Sequence, residues 1–187
     1  MQKNTKEHLF KLCFTAVLIA IGLIFRFLSF PIPLFGANAV RVTLDGAFMA
    51  LSAILFGPIY SATSYVVIDL LGQIIKPIGA YIPLITLVVA LLGFLQGVFY
   101  KALKKIPEKG FLFIKVLLSV IIPGIICSVL NSIVIYHFYS VQKGLSVLIA
   151  GRLLEEVISC VIFSIIITVI LPIIKKEIKK LFNKNNY

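Results

Sequence analysis

Apolar residues in this chain gather into long continuous blocks, and the charged residues are pushed into the gaps between them. Six blocks stand out, at about 9–30, 42–57, 59–75, 82–101, 111–139 and 146–174. A bilayer-spanning helix needs roughly 20 mostly apolar residues, so the pattern predicts an all-α, polytopic membrane protein with six transmembrane helices in a single domain, 1–187. The second and third blocks are short and meet at Gly57-Pro58, which predicts a tight turn. Pro123-Gly124 marks a possible kink in the fifth. No internal repeat is visible, which weighs against transporters built from inverted repeats.

Composition agrees with the blocks: 60% of the 187 residues are hydrophobic and 13% charged. Soluble domains run nearer half apolar and a quarter charged. The net charge of +11 would suggest nucleic acid in a soluble protein. Here no nucleic-acid-binding signature interrupts the blocks, and the cations report topology instead. Lys3, Lys6, Lys11, Lys101, Lys104, Lys105, Lys109, Lys175, Lys176, Lys179, Lys180 and Lys184 fall on the side of the termini, against Arg41, Lys76 and Lys143 on the other. Under the positive-inside rule, that bias of twelve to three predicts cytoplasmic termini. The basic stretch after residue 174 is then expected to be a solvated tail near anionic lipid. Leu9–Phe30 is too long for a signal-peptide core and is read as the first span.

Once orientation is assigned, each polar residue within a span acquires a depth. Arg26, Asp45, Asp69, Gln73, Tyr81, Thr86, Asn131, Tyr136, His137, Arg152, Glu155 and Glu156 all fall in the outer halves of their spans. The inner halves are almost bare, Gln96 being the clearest exception. Intramembrane ionisable groups usually face a cavity or one another, so the simplest expectation is a polar pocket open to the outside. Local pairing is the alternative: Glu155 and Glu156 follow Arg152 at i+3 and i+4, and Arg26 can neutralise Asp45 or Asp69.

Small residues form a second pattern, Ala16-x-x-x-Ala20 in the first span and Gly93-x-x-x-Gly97 in the fourth. Such pairs let helices approach closely, within one chain or between subunits. Cys13, Cys127 and Cys160 match no metal spacing and are read as small buried hydrophobes. His8 and His137 are too few for a histidine-built metal site. The sequence contains no Walker A motif. The adjacent glutamates Glu155-Glu156 also occur in membrane CAAX-type proteases, but the arginine and additional histidines those enzymes need are missing. No catalytic residue and no cofactor are expected.

Five stretches, in order, carry a resemblance: "RFLSF" at Arg26–Phe30, "LFGPIYSATSYVVIDLLG" at Leu55–Gly72, "KPIGAYIP" at Lys76–Pro83, "LNSIVIY" at Leu130–Tyr136 and "GRLLEEVI" at Gly151–Ile158. Together with six blocks and cytoplasmic termini, they make the chain resemble the substrate-binding (S) components of energy-coupling-factor (ECF) vitamin transporters, of the folate type. The resemblance implies a non-enzymatic subunit of a prokaryotic plasma membrane. Such a subunit captures a small-molecule vitamin at the outer face and works with a membrane T component and two cytoplasmic ATPases.

The resemblance also suggests roles for individual residues. Ala16 and Ala20 match the Ala-x-x-x-Ala pattern that contacts the T component in that family. Asp69 would accept the donor edge of a pterin, with Asn131, Gln73, Arg26, Asp45, Arg152 and Glu155 supplying further polar contacts. Tyr81, Tyr136 or Phe35 would stack on the ring. Gly79 would let the loop backbone approach the ligand, while Arg41, Lys76 and Lys143 would meet the glutamate tail. The segment "TLDGAF", the "LIT" after Pro83 and the lack of tryptophan depart from the usual folate-type pattern. A deazaguanine such as a queuosine precursor shows a similar donor edge, so the heterocycle stays open. A stand-alone channel or secondary transporter is the competing class.

Overall fold

The computed structural model describes residues 2–28, 30–33, 39–75, 81–105, 107–138 and 144–184. Six helices follow the six apolar blocks: α1 (Gln2–Phe27), α2 (Asp45–Phe56), α3 (Pro58–Ile75), α4 (Pro83–Ala102), α5 (Glu108–Phe138) and α6 (Leu145–Lys184). A short antiparallel ribbon, β1 (Phe30–Pro33) and β2 (Ala39–Val42), joins α1 to α2 with Phe30 opposite Val42. It is the one addition to an otherwise helical architecture among the described residues.

Five helices are long and apolar enough to cross a membrane, from Thr5–Phe27 through Leu145–Lys180. The expected second span at 42–57 shrinks to α2, whose twelve residues cover only about 18 Å at 1.5 Å per residue. Seven of those twelve are buried, including Met49 and Leu51. Such burial explains why this helix lacks the lipid-facing stripe of its neighbours, with α1, α3, α4 and α6 all packing on it. Elsewhere the outward surface is apolar: Val17, Ile59, Leu87, Ile165 and Val169 are each more than half exposed. An apolar patch of that extent belongs in lipid rather than water.

The levels of the bundle can be read from cross-helix contacts. His8 Nδ1 on α1 lies 3.1 Å from the Tyr60 hydroxyl at the start of α3. At the other end of the same helices, Arg26 meets Asp69. The helices α1 and α3 therefore run in parallel, with α2 returning between them from Asp45, beside Arg26, to Phe56, beside Phe14. The turn into α3 is made by Gly57, whose φ of 99° lies in the left-handed region that favours glycine. The start of α1 and the far part of α6 line one shared cavity through Glu7, Lys11, Lys175 and Lys179.

The fifth block forms one helix that contains Pro123. The basic stretch after residue 174 continues α6 to Lys184, with Lys176, Lys179 and Lys180 exposed on it. Lys, Glu, Leu and Ile propagate a helix once it is nucleated, and Lys180 pairs with Glu177 at 2.7 Å.

The Gly93 and Gly97 pair serves internal packing. A Cβ on Gly93 would lie 2.5 Å from Tyr65 Cδ2, and one on Gly97 would lie 2.5 Å from Pro58 Cα. The α3 and α4 backbones thus approach with nothing between them. Gly97→Val is expected to destabilise the protein by about 2–3 kcal/mol through overpacking against backbone that cannot yield. In detergent this should lower the thermal midpoint by roughly 5–10 °C. An unchanged midpoint would mean that α3 and α4 are not in close contact at this point.

Candidate functional site: a polar cavity at the Arg26 end

A cavity of about 500 Å³ opens among α1–α6 at the level of Arg26. Its floor includes Val120 and Phe163, which also belong to the main hydrophobic cluster with Leu18, Val116, Ile167 and Leu171. The cavity is thus backed by packed apolar side chains toward the Lys11 end of the bundle. Its volume is within the roughly 300–1,000 Å³ typical of small-molecule sites.

Arg26, in the last turn of α1, ties three helices together. Its Nη2 donates to Asp69 Oδ1 at 3.2 Å, and its Nη1 lies 3.8 Å from Asp45 Oδ2. Asp69 is only 6% exposed, and its other oxygen accepts from Thr86 Oγ1 at 2.8 Å. The Thr86 hydroxyl also lies 3.1 Å from the Tyr81 hydroxyl. Gly72 makes room for the arginine, because a Cβ there would stand 2.6 Å from Arg26 Nε. A buried carboxylate with one charged and one neutral donor is well satisfied, so Asp69 is already partnered in this structure.

The opposite wall is built by α5 and α6. Asn131, Arg152, Glu155 and Glu156 all line the cavity. Asn131 Oδ1 is buried without a hydrogen-bond partner in this structure. Unsatisfied buried acceptors are uncommon, and this one belongs to a residue of the cavity wall. Glu156 accepts a long contact from Cys160 Sγ at 3.5 Å. A Cβ on Gly124 would sit 2.6 Å from Glu156 Oε1, so that glycine lets the carboxylate lie against α5.

The cavity therefore brings together Arg26, Asp45, Asp69, Gln73, Asn131, Arg152 and Glu155 from the sequence expectations. Tyr81 is 48% exposed and reaches the site only through Thr86. Tyr136, 41% exposed, is not among the lining residues. Lys76 and Gly79 lie outside the described residues, as do Phe35 and Lys143.

Sequence reasoning underestimated the depth of the site. Tyr65 and Gln96 line the cavity, with the Tyr65 hydroxyl donating to Gln96 Oε1 at 3.1 Å. Gln96 stands 13 residues into the numbering from Pro83, about 20 Å along α4. What looked like a stray inner-half residue is the deep end of the pocket. Its signal was available: a glutamine within a helix of this hydropathy is costly unless it faces a polar partner or water.

Ala16 and Ala20 lie on the exposed side of α1, away from the cavity. Cys13 is exposed on the same helix, unlike Cys127 and Cys160, which are buried as expected. Lys115, absent from the sequence reasoning, is 4% exposed and stands 4.5 Å from the Tyr100 ring centroid. A cation over an aromatic face is a recognised way to hold charge in an apolar setting.

Helices with apolar outer surfaces around a polar cavity define a multi-pass membrane protein. The family model of the ECF transporter substrate-specific component matches residues 10–171, and the chain belongs to that family. It is similar to a protein named folate transporter FolT from Clostridium novyi (strain NT), with 32% identity over 157 residues. That match covers 82% of this chain and 83% of the relative. Among solved structures, the S component of a bacterial ECF transporter superposes with a TM-score of 0.69 at 21% identity, covering 90% of this chain and 97% of that one. FolT bound with folic acid gives 0.58 at 23% identity, covering 84% and 88%. These two likenesses show that the fold is shared.

Proposed function

We propose that the chain is a folate-capturing S component of the prokaryotic plasma membrane, non-enzymatic in itself. It crosses the bilayer six times with both termini in the cytoplasm, and a T component with two ATPases drives release inward. The observation that carries the substrate reading is the cavity at the Arg26 end, where carboxylates, an unpartnered amide oxygen and two arginines converge. The relative from Clostridium novyi named a folate transporter supports it. The shared cavity of Glu7 and Lys175 supports termini on one side, with α2 and its ribbon counting as a crossing. The packed cluster beneath the cavity favours capture over an open channel.

A 2-amino-4-oxo pyrimidine edge offers two adjacent N–H donors, which a carboxylate accepts with its two oxygens. Asp69 fills that role if the ligand edge replaces the Arg26 guanidinium, which presents a similar pair of donors. Arg26 would then turn to the ring carbonyl. Asn131 Oδ1 would take a further ring or amine N–H. Gln73, Asp45, Arg152 and Glu155 complete the polar wall, and Lys76 and Gly79, outside the described residues, would also contact the ligand. Ala16 and Ala20 would dock the T component.

Competition separates the two heterocycles. A pterin without the glutamate tail should displace bound folic acid, and a deazaguanine should do so at least about tenfold less well. Preference for the deazaguanine would move the assignment to a queuosine precursor and leave the S-component class in place.

A further inference from the structure

A second cavity, of about 360 Å³, lies at the opposite end of the bundle and shares no lining residue with the first. It sits where the start of α1, the end of α2 and the far part of α6 meet. Lys11, Lys175 and Lys179 line it together with one carboxylate, Glu7, so the lining has a net charge of +2. Phe10, Ile178 and the apolar end of α2 supply the rest of the wall.

The charges of α6 sort by face. Lys175, Ile178 and Lys179 line the cavity. Glu177, the acidic residue nearby on the helix, is taken by Lys180 on a surface where both side chains are about 60% exposed. The helix supplies the cavity with cations and directs its carboxylate elsewhere. Depth points the same way: the apolar block ends at Ile174 and the first lysine follows it, so the cations stand where hydrocarbon gives way to headgroups.

We propose that this cavity binds one acidic phospholipid. Its phosphodiester would rest among Lys11, Lys175 and Lys179, and the upper part of an acyl chain would lie along Phe10 and Ile178. Ammonium groups bind phosphate oxygens through charge-assisted hydrogen bonds, and basic pockets between transmembrane helices hold anionic headgroups. The apolar half of the lining favours a lipid over a free anion. The position at a headgroup level holds whichever way the protein is oriented, and the proposal is independent of the folate assignment.

Native mass spectrometry of the full chain in detergent tests it, using phosphatidylglycerol and phosphatidylcholine with identical acyl chains. The parent should retain one phosphatidylglycerol in preference to phosphatidylcholine. The double variant Lys175→Gln/Lys179→Gln should weaken that retention about tenfold or more. Lys176→Gln/Lys180→Gln removes the same charge outside the cavity and should leave retention unchanged. Excess inorganic phosphate or glycerol 3-phosphate should not displace the lipid. Equal losses in both double variants, equal retention of phosphatidylcholine, or displacement by either soluble phosphate would each contradict the site. A thermal midpoint in detergent equal to the parent's in both variants checks that they fold.

Discussion

Ala16→Trp is expected to leave ligand capture intact and to abolish uptake in cells that carry the T component and ATPases. Ala16 and Ala20 are exposed, one helical turn apart on α1, with no cavity residue beside them. A tryptophan there meets lipid in the isolated protein, so affinity should stay within about twofold of the parent. Close helix approach depends on small side chains at the contact, and an indole at the centre of a docking face would hold the T component away. Uptake should fall to the level of cells without the S component. Normal uptake would remove Ala16 from the docking face, whereas loss of binding as well as uptake would mean that α1 packs differently. Ala16→Ser, nearly the same size, should behave as the parent in both assays.

Asp69→Asn carries the second large effect. The substitution leaves one acceptor oxygen and replaces the other with a donor facing either Arg26 or Thr86. Two costs follow. The empty protein loses the ion pair that ties α1 to α3: Arg26 is left with a neutral amide oxygen at best, and with an amide donor facing it at worst, so its remaining carboxylate contact is the longer one to Asp45 at 3.8 Å. The ligand loses the carboxylate that would accept its paired donors. Hydrogen bonds to charged groups contribute about 1.5–3 kcal/mol, so affinity should fall about tenfold to a hundredfold. Calorimetry reads the affinity and a thermal scan without ligand reads the stability. Lower stability with unchanged affinity would assign Asp69 to the scaffold and pass ligand recognition to the wall of Asn131 and Glu155.

The spans are the most legible part of the chain, because block length and hydropathy answer directly to bilayer thickness. The second block is the exception. Its apolar run extends into β2, and the helix that forms is short because its neighbours bury it from several sides. Hydropathy cannot separate a residue facing lipid from one facing protein, since both are apolar. The two small-residue pairs show the same limit. Ala16 and Ala20 turn outward, while Gly93 and Gly97 receive the α3 backbone and the Tyr65 ring. Their spacing is identical, and what differs is the rotation of each helix about its axis.

At the site, the sequence assigns depth well and partners less well. Asp45, Asp69, Asn131 and Arg152 reach one cavity because their levels coincide, which can be counted along each span. Arg26 is legible from the sequence as a partner for Asp45 or Asp69, and it stands against both; the space at Gly72 that admits it is what periodicity does not report. Thr86 is similar: its hydroxyl matters because it is aimed at Asp69 Oδ2. Tyr136 shows the opposite error, a polar aromatic at the right level on a face turned away from the cavity.

Folate capture by the cavity at the Arg26 end is checked by isothermal titration of folic acid into the purified full chain, a readout that needs no tryptophan, of which the protein has none. The account predicts saturable one-to-one binding that Asp69→Asn weakens and Ala16→Trp does not. Absence of heat with ligand-free, folded protein, or binding that neither Asp69→Asn nor Asn131→Leu alters, would contradict it.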